Sequence, residues 1–311
     1  MNNATDNATR TALITGITGF IGTHLAARLK ADGWSVHGIV RKARQPAEIP
    51  ADVALHEHDG STESLISIVS RVRPTVVFHL ASLFIAEHRS EDVENLVRSN
   101  VLFGSQLAEA MVVNRAYALV NTGTSWQHYQ NENYNPVCLY AATKQAYEAI
   151  LHYYTEAHLL KVLTLKLYDT YGPGDRRQKL FAILRKLASG QSPLAMSPGE
   201  QLVDLVYIDD VTNAFIMAAE RLLSQQKARR EEYAVSSGKP LRLMDIVKLY
   251  GQLMGSPLPV EWGKRPYRSR EMMIPWTGGI PLPGWAPKVG LEEGIQRMEG
   301  YASENTPNHG N

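Results

Sequence analysis

Cysteine is almost absent from this chain: Cys138 stands alone among 311 residues. An intramolecular disulfide and a cysteine-based metal cluster are both excluded, and a reducing, cytoplasmic setting is the expectation. Charge of one sign is lacking as well. The 32 Lys and Arg against 31 Asp and Glu leave a formal net charge of +1, which argues against nucleic acid or an anionic membrane surface as a partner, although local basic clusters can still hold phosphates. No run is long and apolar enough to span a bilayer, and residues 1–10 lack the apolar core of a signal peptide. No internal repeat or low-complexity block is present. His58, His79 and His128 lack the spacing with carboxylates that a metal site needs. Both ends, 1–10 and 303–311, read as frayed.

What is present is an ordinary globular composition, 44% hydrophobic and 20% charged, sufficient for one large or two smaller domains. Short apolar runs at 11–14, 36–40, 54–56, 75–80, 117–120 and 162–167 read as strands, most with helical segments between them. The pattern predicts helices over 20–31, 91–114 and 140–158. Such alternation implies right-handed crossovers and a parallel sheet covered on both faces, a Rossmann-type doubly wound α/β fold. The two longest helices carry more apolar surface than one sheet covers, which suggests a homodimer. Beyond Tyr168 the texture changes to Gly172-Pro-Gly174, a basic helical segment over 176–187 and a Pro, Gly and Trp rich stretch over 256–287. Between them, 202–208 reads as one strand leading through Asp209-Asp210 into a capped helix over 211–223. The expected division is 1–168 with about 200–235 as the dinucleotide domain, and about 169–199 with 236–311 as a smaller, partly interleaved lobe.

Gly16, Gly19 and Gly22 lie between the first strand and first helix, where missing side chains let backbone N–H groups approach a pyrophosphate at the helix N-terminus. The spacing, Gly-x-x-Gly-x-x-Gly, differs from the Gly-x-Gly-x-x-Gly fingerprint, but its place after an apolar strand points to a dinucleotide. At the end of the second strand, where an acid would accept from the ribose of NAD, the chain reads Arg41-Lys42-Ala-Arg44. Cations there suit the 2′-phosphate of NADPH, with a solvated basic loop as the other reading. Asp59 is open to two readings: an adenine acceptor, or a turn and cap residue.

Tyr140 and Lys144 stand four residues apart on a predicted helix and so share a face. An ammonium there favours an ionised phenol, making a tyrosine with an ordinary pKa of about 10 usable as an acid and base. That spacing suggests hydride chemistry.

Taken together, Thr15–Gly22, His79-Leu-Ala-Ser82, Asn100, Thr124, Tyr140–Lys144 and Tyr171-Gly-Pro173 resemble the extended short-chain dehydrogenase/reductases that act on sugar nucleotides. The segments 120–129 and 135–144 look more specifically like bacterial CDP-3,6-dideoxyhexose synthases of the abequose and paratose type, which reduce a 4-keto sugar. The resemblance makes Tyr140 the proton donor, Lys144 its electrostatic partner and ribose ligand, and Thr124, in place of the commoner serine, the hydroxyl that holds the substrate oxygen; Ser125 could share that role. It implies cofactor contacts from Gly16, Thr18, Gly19, Phe20, Ile21, Gly22, Arg41, Lys42, Asp59, Gly60, Leu80, Ala81, Ser82, Asn100, Thr122, Tyr140, Lys144, Leu167 and Thr170. Substrate contacts fall to Ser125, Trp126, Asp169, Lys179, Leu180 and Arg268, the last in Arg268-Ser-Arg-Glu271, which resembles the family's Arg-Pro-Gly-Asp element. No metal is expected.

Two departures from the family pattern narrow the chemistry. Dehydratases follow the threonine with an Asp-Glu pair, whereas Ser125-Trp126 supplies neither acid nor base. Asp169 replaces the family's Asn before Tyr-Gly-Pro and would repel a diphosphate, so it is expected to contact the sugar or bond internally. Arg176, Arg177, Lys179, Arg265, Arg268 and Arg270 are candidate diphosphate ligands or plain surface charges. Trp126, Trp262, Trp276 and Trp285 are candidates for stacking on base or sugar, or for packing. The expected activity is NADPH-dependent reduction of the 4-keto group of a CDP- or dTDP-linked deoxyhexose. The alternatives are an NAD-retaining 4-epimerase and a catalytically idle NADPH-binding sensor.

Overall fold

The computed structural model describes residues 10–41, 49–190 and 192–304. In chain order, Thr11–Thr15 (β1) leads through the glycines into Phe20–Ala31 (α1), followed by Ser35–Val40 (β2), Ala54–Glu57 (β3), Thr62–Val72 (α2) and Val76–His79 (β4). Val93–Val97 (α3) and Phe103–Val113 (α4) come next, then Ala118–Thr124 (β5), Leu139–His158 (α5) and Lys161–Leu167 (β6). The remainder comprises Asp169–Tyr171 (β7), Leu180–Ala188 (α6), Leu194–Ala195 (β8), Leu202–Val203 (β9), Leu205–Tyr207 (β10), Ile208–Ser224 (α7), Arg230–Val235 (β11), Leu241–Arg242 (β12), Leu243–Leu253 (α8), Val260–Glu261 (β13) and Leu291–Glu304 (α9).

Seven strands form one sheet in the order β11-β6-β5-β4-β1-β2-β3, and the β1–β2, β1–β4, β2–β3 and β4–β5 pairings are parallel. Chain order reverses on either side of β1, so β1 and β4 flank a topological switch point, where ligands of open α/β sheets bind outside the strand C-termini. The doubly wound α/β expectation is borne out. Three two-stranded ladders, β10–β7, β12–β9 and β13–β8, are also present.

The chain divides into two compact units. One is built from Met1–Thr122, Thr143–Leu165 and Phe215–Glu232, the other from Gly123–Ala142, Lys166–Ala214 and Tyr233–Asn311. In the first unit Leu13, Val77, Leu119 and Val162 of the sheet meet Leu65, Ile68 and Val69 of α2, Leu107 and Met111 of α4, and Tyr147 and Leu151 of α5. Each fully buried side chain of this size contributes roughly 1.5–3 kcal/mol. Gly104 is required by the close approach of α4 to α5, since a Cβ there would lie 2.6 Å from the Tyr147 ring.

Three local expectations change. The predicted helix over 91–114 is interrupted: a 3-10 turn at Ser90–Asp92 precedes α3, and Arg98–Leu102 forms a π turn before α4. The single strand expected over 202–208 breaks at Asp204, whose buried carboxylate accepts from Ser236 Oγ (2.6 Å) and Ser237 N–H (2.8 Å). Its two halves pair with different partners, β12 and β7, and Asp209 and Asp210 sit inside the first turn of α7, where their charges are stabilised by the positive end of the helix dipole, instead of capping it. The basic helical segment starts only at Leu180, because Asp175 turns the chain by accepting from Arg177 N–H (3.1 Å). The expectations for residues 1–9, Lys42, Arg44 and 305–311 lie outside the described residues.

Candidate active site

In the first unit β1 delivers the chain into a tight glycine turn. Gly16 has φ +70°, and a Cβ on it would stand 2.6 Å from Ala81 N. A Cβ on Gly22 would meet Gly16 O at 2.2 Å and Ile17 Cα at 2.7 Å. Gly19 is the N-cap of α1 and supplies no capping side chain, and no acidic residue occupies the first turn. Neither a capping side chain nor an acid covers the first turn of the helix, where Thr18 and Gly19 are exposed and Phe20 and Ile21 half-buried. A helix N-terminus preceded by glycines and lacking a capping side chain fits a pyrophosphate.

A hydrogen-bonded hub holds the neighbouring strand end. Thr15 Oγ1 lies 2.8 Å from His79 Nδ1 and accepts from Ala81 N–H (3.2 Å), Leu80 N–H donates to Thr15 O (3.2 Å), and Thr122 Oγ1 donates to His79 O (2.9 Å). His79 is fully buried and its pKa falls to about 3, first through desolvation and then through the charge of Lys144. Lys144 is itself buried, at 2% exposure.

Asn100, at the π turn, has every hydrogen-bonding group of its amide engaged. It donates to Leu83 O (2.9 Å) and Thr143 Oγ1 (3.0 Å), and accepts from Leu83 N–H (2.8 Å) and Ser82 Oγ (3.2 Å). It thus tethers the loop after β4 to α5. Asp59 caps its own turn by accepting from Ser61 N–H (2.8 Å) and Ser61 Oγ (2.7 Å), while Gly60 O accepts from Gln106 Nε2 (3.1 Å). Arg41 is exposed at the end of β2; Lys42 lies outside the described residues. Glu57, which no local pattern marks, is an exposed carboxylate in register with Val40 on the neighbouring strand. Thr143, an acceptor for Asn100, is marked in the sequence only by its place immediately before Lys144.

The second unit holds Thr124, buried at the end of β5. Its Oγ1 accepts from Trp126 N–H (3.3 Å) and its N–H donates to Gln127 Oε1 (3.0 Å), leaving the hydroxyl proton for another acceptor. Ser125 is buried beside it, and Trp126 is half-buried. Tyr140 occupies the first turn of α5, half-buried, one helical turn before Lys144. Cys138 is half-buried just upstream, its thiol pKa raised by burial. Leu167 and Thr170 are buried, and Thr170 O accepts from Arg177 Nη2 (3.0 Å).

Several expected substrate ligands are paired with one another or with neighbours. Lys179, the N-cap of α6, stands 3.3 Å from Asp169. Leu180 opens α6 directly after it. Arg268 forks onto Glu271 at 2.9 and 3.0 Å and lies 5.5 Å over the Trp126 ring. Of the tryptophans, Trp276 stacks on His128 at 3.8 Å, Trp262 packs where a Cβ on Gly199 would lie, and buried Trp285 donates to Asp210 O (3.0 Å). Among the described residues no group of three or more His, Cys, Asp or Glu is placed to hold a metal ion, and no helix is long and apolar enough to cross a membrane.

Known proteins resemble this chain along most of its length. It is 29% identical over 293 residues to a CDP-abequose synthase of Salmonella typhimurium, covering 92% of this chain and 96% of the relative. It is 26% identical over 312 residues to a UDP-glucose 4-epimerase of Mycolicibacterium smegmatis, covering 92% and 96%. Its fold matches a UDP-glucose 4-epimerase of Thermotoga maritima solved with UDP-glucose (TM-score 0.82, 21% identity, 94% of this chain and 99% of that one). A Thermus thermophilus UDP-glucose 4-epimerase solved with NAD gives a TM-score of 0.80 at 24% identity, over 95% and 100%. Residues 12–234, well over half the chain, match the NAD dependent epimerase/dehydratase family, and the chain belongs to that family.

Proposed function

We propose that this enzyme modifies a nucleotide-linked sugar with a nicotinamide dinucleotide, and that its reaction is reduction of a 4-keto-deoxyhexose by NADPH. The observation that carries the reading is the end of β2, where Arg41 stands in place of a ribose-binding acid. A cation there favours the 2′-phosphate, and NADPH is a cofactor consumed in reduction. Ser125 and Trp126 behind Thr124 offer no acid or base for water elimination, which sets dehydration aside. Likeness to the CDP-abequose synthase supports a CDP-linked substrate.

When bound, the nicotinamide supplies the hydride. Tyr140 donates its phenolic proton to the oxygen that was the ketone, and Lys144, a buried ammonium on the same helix face, lowers the cost of the phenolate left behind. Thr124 donates its hydroxyl proton as a hydrogen bond to that oxygen, with Trp126 N–H fixing the orientation of Oγ1. The glycine turn and the N-terminus of α1 hold the pyrophosphate, and Ser82, Ala81 and Thr122 line the neighbouring strand ends. We assign the sugar nucleotide to the second unit, with Asp169, Lys179, Leu180 and Arg268 as its ligands; Lys179 and Arg268 would exchange Asp169 and Glu271 for phosphate oxygens. A homodimer belongs to the reading, since Val93, Val97 and Leu102 along α3 to α4 and Tyr153 on α5 are exposed; a monomeric mass by light scattering would count against it.

A second reading, an NAD-retaining 4-epimerase, has its own support in Glu57, which offers a ribose acceptor opposite Val40. Incubation with CDP- and dTDP-linked 4-keto sugars plus NADPH, with product stereochemistry by NMR, separates the two. Reduced product and stoichiometric NADPH oxidation are expected. Interconversion of 4-hydroxyl epimers without added reductant would replace the reductase with the epimerase.

A further inference from the structure

The 15 residues between Thr124 and Tyr140 form a folded-back loop in the second unit. Tyr129 N–H donates to Asn135 O (2.8 Å), Asn135 N–H to Gln127 O (2.9 Å) and Val137 N–H to Trp126 O (2.9 Å). This ladder ends on the two residues that also bond Thr124, so the position of the Thr124 hydroxyl depends on how firmly the loop is closed. Its tip is strained, with Gln130 and Asn131 consecutively at φ 57° and 60°. Such backbone persists only where the surroundings over-determine it.

The surroundings here are one segment near the C-terminal end of the chain, and its central contact is Arg270. The guanidinium lies 4.3 Å over the Tyr129 ring while Nη2 donates to Asn135 Oδ1, so one planar cation grips both rims of the loop. Nε is buried and has no hydrogen-bond partner among the described residues, a cost accepted because the ring contact fixes the plane of the fork. Thr277 N–H (2.7 Å) and Thr277 Oγ1 (3.1 Å) both donate to Asn131 Oδ1 at the strained tip.

We infer that Arg270 is a positioning residue for the reaction: it touches no reacting atom and sets the placement of Thr124 relative to Tyr140 by clamping the loop between them. The inference rests on the Tyr140-centred chemistry proposed above. Lysine cannot replace it, because an ammonium lacks the planar fork that stacks and donates at once.

Three variants test this: Arg270→Lys and Tyr129→Leu break the clamp, whereas Tyr129→Phe keeps the ring. Turnover is measured together with hydrogen exchange over 125–137. For the first two, kcat falls about 10-fold or more while the cofactor KM stays within about 2-fold and melting temperature is kept, as misplacement of a donor predicts; exchange in the loop rises. Tyr129→Phe retains wild-type values. Unchanged exchange in Arg270→Lys, or raised exchange with wild-type kcat, overturns the inference, as does a kcat loss that merely tracks lost cofactor binding. If the wild-type protein reduces no 4-keto sugar nucleotide, the proposed reductase reading fails separately, and the exchange measurement still decides whether the clamp exists.

Discussion

Acidification should loosen the sheet of the first unit through His79. The imidazole is buried with its pKa lowered to about 3, whereas an unfolded histidine titrates near ~6.5. The folded state binds the proton less well, so the stability His79 contributes is complete above the unfolded value and is lost as pH falls from there toward the folded one. Across that window each pH unit removes up to about 1.4 kcal/mol, and between about pH 7.5 and about pH 5 the loss from this one residue is about 2 kcal/mol. The assay is native-state hydrogen exchange of the β1 and β4 amides, corrected for intrinsic rates, in wild type and His79→Gln. Loss of the Thr15–His79 bond lowers the variant by about 1 kcal/mol at every pH, but its slope should be shallower by the amount above. His37, His56 and His58, all with pKa values lowered first by burial, remain in both proteins and cancel. Curves that run parallel from neutral to acid pH would refute the reasoning, because they would mean that His79 takes up its proton equally in the folded and unfolded chain.

The remaining predictions concern the site. Tyr140→Phe should lower kcat by about 10²–10⁴-fold, the usual range for a lost general acid, with cofactor affinity retained in a fluorescence titration. Gly22→Ala forces a methyl to within 2.2 Å of Gly16 O, and should cost roughly 1–3 kcal/mol of stability by overpacking and abolish measurable cofactor binding by calorimetry. Arg41→Ala should raise the KM for NADPH by about 10-fold, the worth of one charge-assisted bond, and leave that for NADH unchanged; equal effects on both would return Arg41 to the solvated-loop reading.

Legibility of the fold followed the locality of its causes. Helix α1 begins and ends where its pattern predicts because the glycines before it and Asp32 after it are neighbours in sequence. The break at Asp204 was hidden because its partners, Ser236 and Ser237, come about thirty residues later. Asn100 was recognised as a special position, but all four of its hydrogen bonds reach the β4 loop or α5, and no local pattern announces that. Glu271 is only three residues from Arg268, but the likeness of that segment to a phosphate-binding element masks the pairing. Arg270 lacked any signal beyond being an arginine, since Tyr129 and Asn135 are joined to it only by the folded chain.

The π turn at Arg98–Leu102 also bears on how this chain is lined up with others. A π turn accommodates one extra residue within a helix, so deleting one residue between 98 and 102 would let the helix close regularly while keeping the residues before it on the same face relative to α4. A homologue without the bulge would therefore carry a one-residue gap inside this segment. An alignment that put the gap elsewhere would assign the wrong residue to the position of Asn100 and shift Val93 and Val97 to the wrong face.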